Sequence, residues 1–287
     1  MAPARALAKT LGIVHNISYY SRETKAFADV GIPEFWRAYM AYRLAPLGEV
    51  GPAAGAAALY NFAPAMVAEA LPSVWDAVSP DDAIALRNVC MDRALRRALG
   101  DLVDSPEVAE AATLAERGIA ETATVGRVLF GGHMDLAWPT EPHMRLWHAC
   151  TLWREHRGDS HNIALAAAEI DGLECHVLLA AKGVATADVI EKIRGWTGAE
   201  WQAAQQRLTD RELLRADGSF TAAGKNRRDE VELHTDALCA GPRRRLGPAD
   251  TGRLIELVSP IATHLVATGA VAGKWPPDNP ISRTTHH

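Results

Sequence analysis

Titratable side chains are concentrated in one short segment of the second half of the chain. The set is His148, Arg154, Glu155, His156, Arg157, Asp159 and His161. Core packing alone does not require this concentration, so the segment is the best candidate for a functional site. An arginine can hold a carboxylate or phosphate in a bidentate fork while a neighbouring histidine transfers a proton. This chemistry predicts catalytic roles for His148, Arg154 and His156.

The same segment offers a second kind of chemistry, because imidazole and carboxylate groups that converge can hold a divalent metal. His148, Glu155 and His156 are the candidate ligands, although their spacing matches no standard metal motif. We slightly prefer anion binding. The cofactor stays undetermined, with a divalent metal or haem as the candidates. Structural roles are the alternative, since each histidine could serve hydrogen bonding and Asp159 could cap the next helix.

The opposite wall of the site is predicted to come from the first half, because the chain resembles itself at an offset of about 110 residues. The matching residues are Trp36, Arg43 and Gly48 in one copy and Trp147, Arg154 and Gly158 in the other. The repeat therefore predicts a pocket between two related halves. The alternative is that two Ala-rich helices match by coincidence. The predicted ligand-binding residues are His15, Tyr19, Arg43, Tyr60, Asp159 and His161.

The elements that must position these residues are mainly helices, because apolar residues recur at intervals of three and four along most of the chain. The pattern predicts helices over 143–156 and 160–181, with Gly158 ending the first of them. Strand signal is confined to 213–220, where an Asp217-Gly218 turn predicts one small β-hairpin. We predict an N-terminal helical half over 1–130, a seam over 131–142, a C-terminal half over 143–275 and a tail over 276–287.

The order of elements in the second half is that of a winged helix-turn-helix. The segment from Gly195 to Gly224 resembles the recognition helix and wing of the MarR family of regulators. The whole chain also resembles a little-characterised actinobacterial family of helix-turn-helix proteins. That resemblance rests on Trp147-His148, the run from Arg154 to His161, the predicted wing, and His234-Thr-Asp-Ala-Leu238. Together with the internal repeat, the order of elements predicts a mainly α fold of tandem winged-helix-like halves, with a hairpin wing in the C-terminal half.

Charge argues against a nucleic-acid partner. The net charge is −5, and basic and acidic residues balance each other across the predicted wing. Scattered cysteines and the lack of a long apolar run predict a cytoplasmic protein without a membrane span. We therefore expect a protein that binds a small-molecule ligand between its halves, or acts on it as a biosynthetic enzyme. The alternative is a MarR-like, ligand-responsive transcriptional regulator, which would present two winged helices as a homodimer.

Overall fold

A computed structural model describes residues 3–272, with side chains from residue 5 onwards. The described chain is mainly helical, as predicted. The α-helices are α1 Pro3–His15, α2 Ile17–Tyr20, α3 Phe35–Leu44, α4 Pro52–Leu59, α5 Pro64–Ala70, α6 Val74–Ala77, α7 Pro80–Leu99, α8 Pro106–Ile119, α9 Val128–Met134, α10 Pro142–Ala167, α11 Glu174–Ala181, α12 Ala187–Arg194, α13 Gly198–Asp210, α14 Ala222–Leu238 and α15 Ala240–Ala267. Short 3-10 helices cover Arg22–Val30, Ala45–Leu47 and Gly100–Asp104.

Several of these helices begin where the sequence supplies an N-cap. The side chains of Ser79, Ser105 and Thr221 each accept a hydrogen bond from a backbone N–H in the first turn of α7, α8 and α14. Proline follows the cap in α7 and α8, where its fixed φ suits the first helical turn. Inside α15, Gly247 has a φ of 76° and kinks the helix just before Pro248.

Helix α10, 26 residues long, is the central element of the fold. Helices α1, α7, α8, α9 and α14 pack against it, and α15 packs against α1 and α8. The largest hydrophobic core forms around it from residues such as Leu11, Leu95, Trp147 and Leu254. Because these residues come from both predicted halves, the halves share a core. The division into halves stays a prediction, and the predicted tail lies outside the described residues.

Two further cores hold other elements of the fold. One contains residues of α3, α4, α5 and α6 and of the segments between them, such as Met40 and Phe62. The other joins the end of α10 to α11, α13 and the segment after it, through residues such as Leu165, Leu208 and Leu213. Among the described helices, none is both long and apolar enough to cross a membrane.

The predicted break at Gly158 was wrong, since α10 continues through it to Ala167. A glycine that ends a helix usually adopts a left-handed conformation. Gly158 is not among the glycines with positive φ, so it is an ordinary helical residue. The break occurs later, where Glu169 has a φ of 56° and α11 begins only at Glu174.

The predicted β-hairpin wing was also wrong for the described residues, because Leu214 and Phe220 form only one isolated antiparallel bridge. The turn itself is present, with a φ of 80° at Gly218 and Asp217 accepting a hydrogen bond from the backbone N–H of Ser219. The bridge is made by two hydrogen bonds, from the N–H of Arg215 to the carbonyl of Ser219 and from the N–H of Thr221 to the carbonyl of Leu213. Pairing goes no further, because the side chain of Thr221 caps α14 and the helix begins at Ala222.

Candidate functional site

One carboxylate, Glu155, lies between two arginines near the middle of α10. Arg43 donates to both of its oxygens, from Nε at 3.2 Å and from Nη2 at 3.1 Å. Arg154 donates to Oε2 at 2.6 Å. Burial favours protonation of Glu155, but the two guanidinium groups outweigh it and lower the pKa of this carboxyl. The arginines matched by the sequence repeat therefore meet at one ionised carboxylate.

A cavity of about 370 Å³ opens beside this ion cluster. This volume lies within the range of small-molecule sites. Of the sequence-predicted residues, Arg43, Arg154, Glu155, Asp159 and His161 line it. Its other walls are Ala8, Leu59, Asn61, Phe62, Leu129, Trp153, Arg157, Gly158, Asn162, Arg194 and Glu232. The cavity thus lies between α10 and elements of the first half, where the repeat placed a pocket.

Asp159 caps a helix other than the one predicted. Its Oδ2 accepts a hydrogen bond of 2.9 Å from the backbone N–H of Phe130, in the first turn of α9. Burial raises the pKa of Asp159 to about 6, because it outweighs the effect of the hydrogen bond from Phe130. The carboxyl group therefore titrates just below neutral pH.

This raised pKa predicts a pH-dependent stability that Asp159→Asn should remove. In the unfolded chain an aspartate titrates near 3.9. Between about pH 4 and pH 6 the folded protein binds more protons, so Asp159 makes stability fall as pH rises through this window. We expect Asp159→Asn to be about 2–3 kcal/mol more stable relative to wild type at pH 7 than at pH 4. Urea denaturation at both pH values measures this, and a constant difference contradicts it.

Buried His15 and partly buried Tyr19 form a hydrogen-bonded pair outside the cavity. His15 contacts the hydroxyl of Tyr19 at 2.7 Å through Nε2 and that of Thr151 at 2.9 Å through Nδ1. Burial lowers the pKa of His15 well below its usual value, and the positive charge of Arg154 lowers it further. Tyr60 also lies outside the cavity, and its hydroxyl donates to the carbonyl of Ile170 at 2.6 Å.

The remaining predicted histidines do not converge. The rings of His148 and Trp138 lie edge to face at 4.7 Å, and those of His156 and Phe130 at 5.0 Å. Burial lowers the pKa of His148 to about 3 and that of His156 to about 4, so both are neutral at pH 7. His161 contacts the hydroxyl of Thr235 at 3.0 Å.

The structure does not bring together the metal ligand set predicted from sequence. His148 and His156 pack on different aromatic rings, while Glu155 is bound by Arg43 and Arg154. Among residues 5–272, no group of three or more His, Cys, Asp or Glu side chains is placed to hold a metal ion. On the continuous helix α10, His148 and Glu155 are seven residues apart, which separates them by about 10 Å along the helix axis.

Arg194 is the cavity residue that sequence reasoning missed. It ends α12, and its guanidinium lies over the ring of Phe62 at 4.3 Å. Burial lowers the pKa of Arg194 to about 10, and the positive charges of Arg43 and Arg154 contribute to this shift. An arginine in the last turn of a helix usually suits the helix dipole in solvent, so no sequence signal distinguished this one.

Helices α12 and α13 and the turn between them form a structural unit beside the cavity. Gly195 ends α12 in a left-handed conformation with a φ of 81°. Thr197 then begins α13 with a capping box, in which its hydroxyl accepts from the N–H of Glu200 and the Glu200 carboxylate accepts from the N–H of Thr197. Two helices joined by such a short glycine-containing turn have the order of elements of a helix-turn-helix.

A family model described as a helix-turn-helix family matches residues 4–272. The chain belongs to this helix-turn-helix family. No curated protein and no solved structure matches it. The predicted helix-turn-helix character is thereby confirmed, while the likeness to MarR regulators and the actinobacterial origin stay predictions.

In this helix-turn-helix protein the α12–α13 unit is tied to the cavity wall. The backbone N–H of Ala63 donates to the carbonyl of Arg194 at 2.8 Å, and Trp196 Nε1 donates to the carbonyl of Asn61 at 3.0 Å. Arg194 therefore belongs to both the cavity wall and the unit, and Asn61, another residue of the wall, accepts the bond from Trp196.

Proposed function

We propose that this protein is a DNA-binding regulator that contacts the major groove through α13. The observation that carries the proposal is the α12–α13 helix-turn-helix in a chain of the helix-turn-helix family. In such units the second helix reads base edges. Ala204 and Leu208 anchor α13 in the core, which leaves its opposite face exposed to solvent.

The exposed face of α13 carries side chains that suit A·T base pairs. Ala199, Gln202, Ala203 and Gln206 lie together on it, flanked by the exposed charged residues Glu200, Arg207 and Asp210. Gln206 donates to the carboxylate of Asp210 at 2.7 Å, a bond that it must exchange for a base contact. Glutamine can form two hydrogen bonds with adenine in the major groove, and the alanine methyl group packs against the thymine methyl group. The small alanines also let the helix approach the bases closely. We therefore propose that the preferred site is rich in A·T pairs.

The basic residues near α13 limit its affinity for the phosphate backbone. Arg207 pairs with Asp171 and Glu174, and Arg211 also pairs with Glu174. On α14, Lys225 pairs with Asp229, so one more cation faces a carboxylate. Charges already paired release few counterions on binding. The near-equal numbers of basic and acidic residues argued against DNA binding from the sequence alone. Together with these ion pairs, they predict that the affinity for DNA depends only weakly on salt concentration.

Removing the glutamines should weaken specific binding. Sites are first selected from a random duplex library at low salt, and binding is then measured by fluorescence anisotropy. We expect Gln202→Ala and Gln206→Ala each to weaken binding to the selected site by about tenfold or more. Thr113→Ala, an exposed change on α8, is the matched control. Failure to enrich any sequence, or full binding by both variants, would overturn the proposal.

We also propose that the cavity is a small-molecule site, so that the regulator responds to a ligand. Its volume of about 370 Å³ and its mixture of arginines with Leu59, Phe62 and Leu129 support this. Arg43, Arg154, Asp159 and His161 are the predicted residues that can reach such a ligand. His148 and His156 lie outside the cavity, so we assign them no proton transfer, and neither a metal nor haem is part of the proposal.

A further inference from the structure

We propose that the cavity binds an uncharged heterocycle that carries a hydrogen-bond donor and acceptor side by side, as purine and pyrimidine bases do. The side-chain amides of Asn61 and Asn162 recognise this pair of groups. The inference rests on the proposal that the cavity is a ligand site, and it adds the chemical class of the ligand and the residues that select it.

The charged side chains of the cavity wall are already engaged within the protein. Glu155 is shared by Arg43 and Arg154, and Arg157 pairs with Asp236 at 2.9 Å. Partners within the protein also exist for the other charged groups of the wall, which are Asp159, Arg194 and Glu232. A ligand with its own charge would have to displace one of these partners. The cavity therefore favours an uncharged ligand.

Two side-chain amides in the wall stay available to a ligand. Asn61 lies just after α4 and Asn162 on α10, and both are partly buried. Within residues 5–272, neither side chain forms a hydrogen bond with another protein group. An asparagine amide presents donors and an acceptor from one planar group, so it forms a bidentate pair with a donor and an acceptor that lie side by side. Purine and pyrimidine bases carry such pairs.

A strained turn fixes the position of Asn61 in the wall. Tyr60 has a φ of 57° and a ψ of −59°, and the backbone N–H of Asn61 donates to the carbonyl of Leu59 at 2.7 Å. This is a γ-turn with positive central φ, a form that is rare because it strains the backbone. The surroundings impose it, since the hydroxyl of Tyr60 donates to Ile170 and a Cβ atom at Gly172 would lie 2.1 Å from the Tyr60 carbonyl oxygen. Strain of this kind occurs most often at ligand sites and switches.

The apolar part of the wall suits a flat ring. Leu59, Leu129 and Trp153 all line the cavity. The indole Nε1 of Trp153 donates to the carbonyl of Ala115 at 2.9 Å, so its polar atom is used and its carbon surface remains for a ligand. Planar bases stack on aromatic side chains with a gain in affinity. This surface favours an aromatic heterocycle over a sugar with the same hydrogen-bonding groups.

Binding at Asn61 also has a route to the helix-turn-helix unit. The carbonyl of Asn61 accepts the hydrogen bond from Trp196 Nε1, in the turn between α12 and α13. A ligand that fixes the side chain of Asn61 therefore also stiffens the segment to which Trp196 is bonded. We expect slower amide hydrogen exchange in residues 190–197 when the cavity is occupied.

Isothermal titration calorimetry of the full chain tests the inference. The probes are adenine, hypoxanthine, uracil and cytosine, with indole and benzoate as comparisons. Indole has a similar flat surface but no acceptor beside its N–H group, and benzoate is an anion. We expect at least one base to bind about tenfold or more tightly than both comparisons, and to slow exchange in residues 190–197.

Two substitutions test the assigned residues. Asn61→Leu and Asn162→Leu keep the approximate shape of the side chain and remove its amide. Each should weaken the tightest base by about tenfold or more, because a polar edge of the ligand is left without a partner. Asn226→Leu, exposed on α14 and outside the cavity, should not. Full binding by both cavity variants overturns the inference.

Asn162→Phe, which fills the cavity from its wall, separates failure of the inference from failure of the ligand site. If indole or benzoate binds as tightly as every base and Asn162→Phe abolishes that binding, the cavity is a ligand site but the assigned chemical class is wrong. If no probe binds, or if binding survives Asn162→Phe, both proposals fail. Circular dichroism confirms that each variant is folded.

Discussion

Glu155→Gln is expected to lower the free energy of unfolding by about 3–5 kcal/mol. The carboxylate is only 1% exposed, and it neutralises Arg43, which is 9% exposed, together with Arg154. A glutamine of the same shape removes the negative charge and leaves the buried guanidinium of Arg43 and the partly exposed one of Arg154 without it. Breaking a buried ion pair on one side costs far more than the pair contributes, because the remaining charge stays desolvated. Urea denaturation at pH 7 measures the change.

An exposed ion pair provides the control for this variant. Glu110 on α8 accepts two hydrogen bonds from Arg253, but both side chains are about half exposed. We expect Glu110→Gln to leave the unfolding midpoint nearly unchanged, since water replaces the lost partner. If Glu155→Gln were equally mild, the charges around Glu155 would have to be solvated, and the cavity would lose its electrostatic basis.

Gly224→Ala is expected to lower the free energy of unfolding by about 3–4 kcal/mol. Gly224 is buried in the first turn of α14, and a Cβ atom there would lie 1.8 Å from the carbonyl oxygen of Leu213. A backbone oxygen cannot rotate away, so α14 must detach from the preceding segment. The cap from Thr221 to the N–H of Gly224 is then lost as well. Thermal and urea denaturation measure the effect.

Gly252→Ala is the matched control, because it lies inside α15 with no atom within 4 Å of the added Cβ. We expect this variant to be slightly stabilised, by about 0.5–1 kcal/mol, since alanine is the better helix former. Gly224→Ala, unlike this control, should also speed proteolysis in residues 213–220, which the contact with α14 holds in place. Equal stability of the two variants contradicts the close approach at Leu213.

The parts of the structure that the sequence predicted are those fixed by local chemistry. The order α12, turn and α13 follows from Gly195, which suits a left-handed helix end, and from the capping residues Thr197 and Glu200. The repeat also pointed to the right neighbours, because Arg43 and Arg154 share one carboxylate. In both cases the spacing along the chain carries the information.

The parts that the sequence could not predict depend on packing between distant segments. Gly158 has the residue type of a helix end, but packing on both sides of α10 keeps it helical. His148 and His156 have the residue type of ligands, but each packs against an aromatic ring of a preceding segment, Trp138 and Phe130 respectively. Arg194 enters the cavity because α12 docks on residues 61–63, and no spacing within the chain signals that contact.

The packing of α1 against α15 has a consequence for how the protein is made. Leu7 and Leu11 are buried in the same core as Leu254 and Leu265, at the far end of the described chain. At typical rates of translation, α1 leaves the ribosome on the order of ten seconds or more before these partners exist. Helix α10 is made earlier and can cover part of α1, but the side that packs on α15 stays uncovered for that time, and the core around α10 cannot close. The N-terminal helix is therefore a segment in which a nascent chain of this protein is exposed to chaperones and to aggregation.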